Sequence, residues 1–190
     1  MKIRLSLTQK LLFPILVALI LIGFAINYQA NLILRREAIA GAKHNIADFV
    51  KIQAKQQVTM PADFSLADPQ KTEQIFSKVL EGVKTPDIVR IKIWAKDGTI
   101  IFADDKSIIG KNFKENKDFQ KSVKGEIAAD IKPPLKAENV AEKGYKQLME
   151  VYVPINLRAD ERPIGVIETY YKLDSLNESV IRAQREISSI

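Results

Sequence analysis

The first pattern along the chain is continuous rather than periodic: Leu11 to Tyr28 reads LLFPILVALILIGFAINY, with no charged residue. That approaches the roughly 20 apolar residues needed to cross a hydrocarbon core and predicts a transmembrane helix over 11–28. A signal peptide cleaved near Gly23-Phe24-Ala25 is the alternative. No turn signal separates Tyr28 from the helical pattern that follows, which favours a permanent anchor continuing into a long external helix. In that helix Leu32, Ile39, Ile46 and Gln53 recur in a heptad, with Arg35, Ala42, Phe49 and Gln56 offset from them. The stripe is too narrow to sustain a coiled coil alone. It reads as packing on the domain's own sheet, or as pairing in addition with a second copy to form a homodimer.

Met60-Pro61 ends this helix, and Asp68-Pro69 through Lys84 carries Ile75, Phe76, Val79, Leu80 and Val83 at helical spacing. After Thr85-Pro86-Asp87 the period changes to that of strands. Ile88 to Ala95 and Thr99 to Ala103 form a hairpin across Lys96-Asp97-Gly98. Phe113 to Val123 is an amphipathic helix closed by Gly125, Glu126 to Ile131 a short strand, and Pro133 to Gly144 a polar, irregular surface loop. Gln147 to Ile155 and Pro163 to Leu173 are the last two strands. The order is strand, strand, helix, strand, strand, strand, an α+β domain. Beyond it Leu173, Leu176, Val180, Ala183, Ile187 and Ile190 step as one helix face behind a Ser175–Glu178 capping box. No second apolar span follows, so the chain reads either as finished there or as the front piece of a longer receptor.

Alternation sorts the strands into two faces. Ile91, Ile93, Met149, Val151, Val153, Ile167, Thr169 and Tyr171 fall on one, a core face. Arg90, Lys92, Trp94, Leu148, Glu150, Tyr152, Val166, Glu168 and Tyr170 fall on the other. The commoner outcome for such a mixed face is a solvated sheet surface with cross-strand ion pairs. The functional alternative is a pocket roofed by the 113–123 helix, in which Lys92, Trp94, Glu150, Tyr152, Glu168 and Tyr170 bind a small molecule. Aromatic walls beside carboxylates suit an amine or a zwitterion such as an amino acid.

Composition removes several classes of chemistry. The 190 residues contain no Cys and a single His, His44, so thiolate nucleophiles, disulfides, cysteine or histidine metal sites and catalytic triads lack their members. No phosphate loop, nucleophile elbow or zinc signature is present, and no catalytic residue, metal site or cofactor is expected. The net charge of +6 comes from 29 basic and 23 acidic residues scattered along the chain, which gives nucleic acid no basic groove. Lys2, Arg4 and Lys10 precede the apolar stretch and place the N-terminus in the cytoplasm, against a slight opposing bias from Arg35 and Arg36. The expected protein is single-pass in the inner (plasma) membrane, with its main domain periplasmic or extracellular.

Four segments carry a resemblance: Ile91 to Ile101 (IKIWAKDGTII), Ile109 to Phe113 (IGKNF), Glu150 to Ile155 (EVYVPI) and Gly165 to Tyr171 (GVIETYY). The pattern resembles the single-Cache, PAS-like extracytoplasmic sensor domains of bacterial histidine kinases, diguanylate cyclases and chemoreceptors. It divides the chain into a cytoplasmic basic tail (1–10), a transmembrane helix (11–28), a sensor domain (29–173) and an amphipathic exit helix (174–190). The resemblance implies a five-stranded antiparallel-type sheet flanked by a long N-terminal helix, with a small-molecule pocket on the sheet face away from it. It also implies signalling through the long N- and C-terminal helices, with output modules that lie outside this chain. Citrate- and dicarboxylate-binding relatives place basic and His residues just before the Ile-Gly turn. Phe102 to Lys106 (FADDK) here does not support such a ligand. A bitopic structural or assembly protein, whose outer domain docks partner proteins, is the alternative.

Overall fold

The computed structural model describes residues 7–133, 135–136, 138–139, 142, 144–158, 161–174, 178 and 181. Lys2 and Arg4 lie outside the described residues, as does the exit-helix pattern of Leu176, Val180, Ala183, Ile187 and Ile190 with most of its capping box.

The first helix, α1, spans Leu7–Gln57 in 51 residues, a rod of about 76 Å. It passes Tyr28 without a break, the continuity on which the anchor reading rests. Residues 11–30 are all exposed, and this is the stretch of the described chain long and apolar enough to cross a membrane. The far end of the same helix is packed: Ile46, Ala47, Val50 and Ala54 are buried, with Ile39, Ala42 and Phe49 half-buried beside them. The stripe therefore does lie on the domain's own core. The apolar middle of the heptad, Ile39, Ala42, Ile46 and Phe49, packs there while its polar ends Arg35 and Gln56 are exposed, and Ala47, Val50 and Ala54 outside the heptad positions share the contact. A straight helix turns every 3.6 residues, so a strict seven-residue step drifts off the face.

Asp63 ties α1 to the next helix. Its buried carboxylate accepts the Thr59 and Met60 N–H groups at 2.9 and 3.0 Å and the Lys71 ammonium at 2.8 Å. Burial works against its charge, but these hydrogen bonds outweigh it and hold the carboxyl below the usual range. Helix α2, Pro69–Val83, starts with proline in its first turn and is capped by Asp68, which accepts the Lys71 N–H at 3.0 Å. It buries Phe76, Val79 and Val83, with Phe76 edge-on to Phe64 at 5.1 Å.

The five strands are β1 (Ile88–Ala95), β2 (Ile100–Ala103), β3 (Ala128–Lys132), β4 (Leu148–Ile155) and β5 (Gly165–Tyr171). They form one sheet in the order β2-β1-β5-β4-β3, and every neighbouring pair is antiparallel. The β1–β2 turn needs its glycine: Gly98 has φ +89°, and a Cβ there would lie 2.6 Å from the Lys114 backbone. Helix α3 is Lys117–Ser122, shorter than the 113–123 pattern predicts. The Asn116 side chain accepts the Asp118 and Phe119 N–H groups at 2.9 and 3.1 Å, which starts the helix there. Phe113 instead spends its N–H on the Gly98 carbonyl at 2.9 Å.

Candidate ligand site on the capped face of the sheet

The period-two sorting of the strands holds. Ile91, Ile93, Met149, Val151, Val153 and Ile167 join α1 and α2 in one apolar core, and the other parity faces α3. Strand register builds a row across all five strands on that second face: Ala103, Lys92, Glu168, Tyr152 and Ala128. A neighbouring row holds Arg90, Tyr170, Glu150 and Asp130. The six residues singled out from the sequence are thus brought together. The solvated-surface reading of this face is corrected, because Lys92 is 2% exposed and Trp94, Glu150, Tyr152, Glu168 and Tyr170 are 0% exposed.

Two covers produce that burial. Over one half, Phe119 of α3 stacks on Trp94 at 5.1 Å, and Phe113 meets the same ring edge-on at 6.3 Å. The indole N–H then donates to Glu168 Oε2 at 2.9 Å. Over the other half lies the segment between β3 and β4 that its polar composition marks as a surface loop. Glu138, Asn139 and Glu142 of this segment are buried. The physical reason is that each finds a partner, Asn139 and Glu142 on the sheet and Glu138 on Asn116 at the start of α3, so burial costs none of them a hydrogen bond.

Those partners form one network. Lys92 Nζ donates to Tyr170 OH at 2.7 Å, Asn139 Oδ1 at 2.8 Å and Glu142 Oε2 at 3.2 Å, and lies 4.5 Å from the centre of the Tyr170 ring. Asn139 Nδ2 donates to Glu150 Oε1 at 2.6 Å, and Tyr170 OH to Glu168. Lys136 Nζ donates to Glu150 Oε2 at 2.6 Å, Tyr152 OH at 2.8 Å and Asp118 Oδ2 at 3.2 Å. Asn116 Nδ2 reaches Tyr152 OH at 2.9 Å and also Glu138. Asn116, Asp118, Lys136, Glu138, Asn139 and Glu142 are site residues that the alternation of strands could not reveal. Only Asn116 has a local signal, as a helix-capping residue.

The charges do not balance. Glu142 pairs with Lys92 and Glu150 with Lys136, Asp118 is shared by Lys136, Lys132 and Lys121, and Glu138 and Glu168 are buried in the same layer. Burial pushes the Glu168 carboxyl up to about 7, with Lys92 opposing the shift and Glu150 adding to it. Burial also raises Glu142 against the pull of Lys92, and lifts the Tyr152 and Tyr170 hydroxyls well above the usual phenol range. For Lys136, burial favours loss of the proton, but Glu150 and Glu168 outweigh it and its value is raised. Among the described residues no group of three or more His, Cys, Asp or Glu is placed to hold a metal ion.

A cavity of about 580 Å³ opens beside this network, with Phe113, Asn116, Asp118, Lys132, Lys136 and Glu138 in its walls. None of the six residues chosen from the sequence lines it. Two of them, Glu150 and Tyr152, are hydrogen-bonded to the wall residues Lys136 and Asn116.

Among solved structures, the fold is similar to the sensory domain of the Campylobacter jejuni chemoreceptor Tlp3 with isoleucine bound. The TM-score is 0.54 at 12% identity, over 83% of this chain and 64% of that one. The chain shares the PAS-like fold of that sensory domain. A second structure, the Tlp3 ligand-binding domain in complex with 4-methylisoleucine, matches with a TM-score of 0.50 at 12% identity, over 80% of this chain and 61% of that one. The Escherichia coli DcuS sensor domain matches with a TM-score of 0.49 at 19% identity, over 73% of this chain and 96% of that one. The chain thus spans less than two thirds of either Tlp3 domain. No family model and no curated protein sequence matches it. The two Tlp3 likenesses speak to the fold, and the resemblance read from the strand motifs holds at that level.

Proposed function

We propose that this chain is the extracytoplasmic small-ligand sensing domain of a membrane signal-transduction receptor, and that its ligand is an amine or an amino acid. The observation that carries the proposal is the buried layer of Lys92, Trp94, Glu150, Tyr152, Glu168 and Tyr170, with carboxylates in excess of ammoniums. Buried charge is an expensive way to fill a domain, and apolar residues of the same size would serve stability as well or better. A ligand-recognising face accounts for it. The Tlp3 structures, whose fold this chain shares, hold isoleucine and 4-methylisoleucine. The domain acts by binding, without catalysis or a cofactor.

In this reading the basic residues before 11–28 keep the N-terminus cytoplasmic, and the membrane helix displays residues 29–173 outside. The ligand enters from the cavity beside α3 and rearranges the covers of the sheet. Since α1 packs on the opposite face of the same strands, ligand affinity that differs between two arrangements of α1 and the exit helix shifts their equilibrium. A homodimer joined through these long helices is the expected receptor form. The partner-docking alternative is less well supported: beyond the membrane segment the exposed large apolar residues among those described are the dispersed Ile33, Ile52, Met60, Leu135 and Ile181.

The test is thermal unfolding of the full chain in lipid nanodiscs against a panel of amines, amino acids and organic acids. An amine or amino acid should raise the melting temperature, and Glu168→Ala or Tyr152→Ala should abolish that rise. A panel without response, or a response left unchanged in both variants, overturns the proposal.

A further inference from the structure

Two lysines of the network, one buried and one half-buried, are held alike but mounted differently. Lys92 grows from the central strand β1 and its side chain is 2% exposed. Lys136 comes from the connection between β3 and β4, keeps a side-chain exposure of 21%, and stands in the wall of the 580 Å³ cavity. Its ammonium nevertheless has a full set of partners. Glu150 Oε2 at 2.6 Å, Tyr152 OH at 2.8 Å and Asp118 Oδ2 at 3.2 Å take three hydrogen bonds, and the Tyr152 ring centre lies 4.8 Å away. These partners belong to the strand β4 and the helix α3, and Glu150 and Tyr152 are 0% exposed. A fixed cage thus holds an occupant that is tethered, partly exposed and next to open space.

We propose that the cage of Glu150, Tyr152 and Asp118 is the subsite for the ammonium group of the ligand, and that Lys136 fills it as an internal stand-in which the ligand displaces. The proposal rests on the amine-sensing reading above and names where that amine sits. Exchange of one ammonium for another leaves the charge around Glu150 unchanged, whereas a neutral or anionic guest in the cage would leave that carboxylate buried without its partner. The subsite therefore selects primary amines. The cavity takes the remainder of the molecule, with Phe113 for an apolar side chain and Lys132 for a carboxylate, which makes an α-amino acid the best-matched class. Displacement of Lys136 also removes its three hydrogen bonds from the set that holds the β3–β4 connection in place, which further includes Glu138 to Asn116, Asn139 to Glu150 and Glu142 to Lys92. Ligand binding is thereby coupled to the cover of the sheet.

The test is chemical rescue of the full chain in nanodiscs. Lys136→Ala removes the atoms that n-propylammonium supplies. At about a tenfold excess over its dissociation constant, n-propylammonium should raise the melting temperature of Lys136→Ala by about 3–5 °C. Neither 1-propanol nor sodium chloride should do so, and the wild type, whose cage is filled, should respond far less. A response of Lys136→Ala no larger than that to sodium chloride, or an equal response of the wild type, overturns the inference. A second measurement needs no variant: with ¹⁵N-labelled lysine, the caged Lys136 ammonium should give a slowly exchanging resonance that n-propylammonium titrates away. A resonance that persists at saturation overturns the inference as well. Failure here is distinguishable from failure of the sensing proposal. Rescue without any wild-type response in the ligand panel keeps the cage and removes the sensor, while a wild-type response to an amino acid with no rescue and an unmoved Lys136 resonance does the reverse.

Discussion

The two faces of the sheet are equally buried and differently built. Against α1 and α2, Ile91, Ile93, Met149, Val151, Val153 and Ile167 meet Ile46, Val50, Phe76 and Val79 with hardly a polar atom between them. On the other face the same strands bury Lys92, Glu150 and Glu168 together with the hydroxyls of Tyr152 and Tyr170. Apolar burial is insensitive to pH and to the identity of distant partners, and its contribution grows with area. A buried ionic network depends on every member being present and in the right protonation state. The first face thus holds the domain together, while the second is poised so that one added or removed cation changes its balance. On the sensing function proposed above, stability and recognition are divided between the two sides of one sheet.

The largest effects should come from breaking the apolar side. Phe76 is 0% exposed at the centre of α2, against Phe64 and Phe102. Phe76→Ala should cost about 3–5 kcal/mol by urea unfolding, equally at acidic and neutral pH. A loss that varies with pH would show that the two faces are not independent.

Between about pH 4.5 and 7 it is the polar face that should respond to pH. A Glu168 carboxyl held at about 7 in the folded domain, against 4.5 for the ordinary side chain, keeps its proton longer when folded. Its contribution is complete below about pH 4.5 and is lost as the pH rises to about 7, a fall of about 3 kcal/mol in all. Glu142, also raised, adds to the same trend. Glu168→Gln should flatten the slope between those limits, leaving the share due to Glu142. Wild-type stability that stays level or rises over this range would refute the assignment.

How much of this was readable beforehand follows from the range of each interaction. Strand alternation is local, so Met149, Val151 and Val153 separate from Glu150 and Tyr152 on sight. Pro86 and Gly98 punctuate β1 closely enough that Ile88–Ala95 is found as read. Lys92, Trp94, Glu150, Tyr152, Glu168 and Tyr170 share a face for the same reason, and strand register alone brings them together. Their cover is a different matter. Glu142 is buried because Lys92 awaits it, and Lys136 because Glu150, Tyr152 and Asp118 do. Nothing local distinguishes a polar loop that meets such partners from one that meets water. Helix α3 shortened on similar grounds, since the capping choice at Asn116 was set against the pull of Gly98 on Phe113.

The smallest effect offers the sharpest comparison, because both faces carry a helix capped by the same kind of side chain. Asp68 caps α2 through a single bond to the Lys71 N–H at 3.0 Å. Asp68→Ala should cost about 1 kcal/mol, the ordinary value of a cap. Asn116 caps α3 through two N–H groups, and its amide nitrogen also reaches Tyr152 OH and Glu138 in the network. Asn116→Ala should therefore cost about 2 kcal/mol, the cap plus the net worth of the severed bonds. Thermal melts of the two variants in parallel decide the point. If Asn116→Ala costs no more than Asp68→Ala, the bonds of its amide to Tyr152 and Glu138 add nothing to the hold of α3 on the sheet.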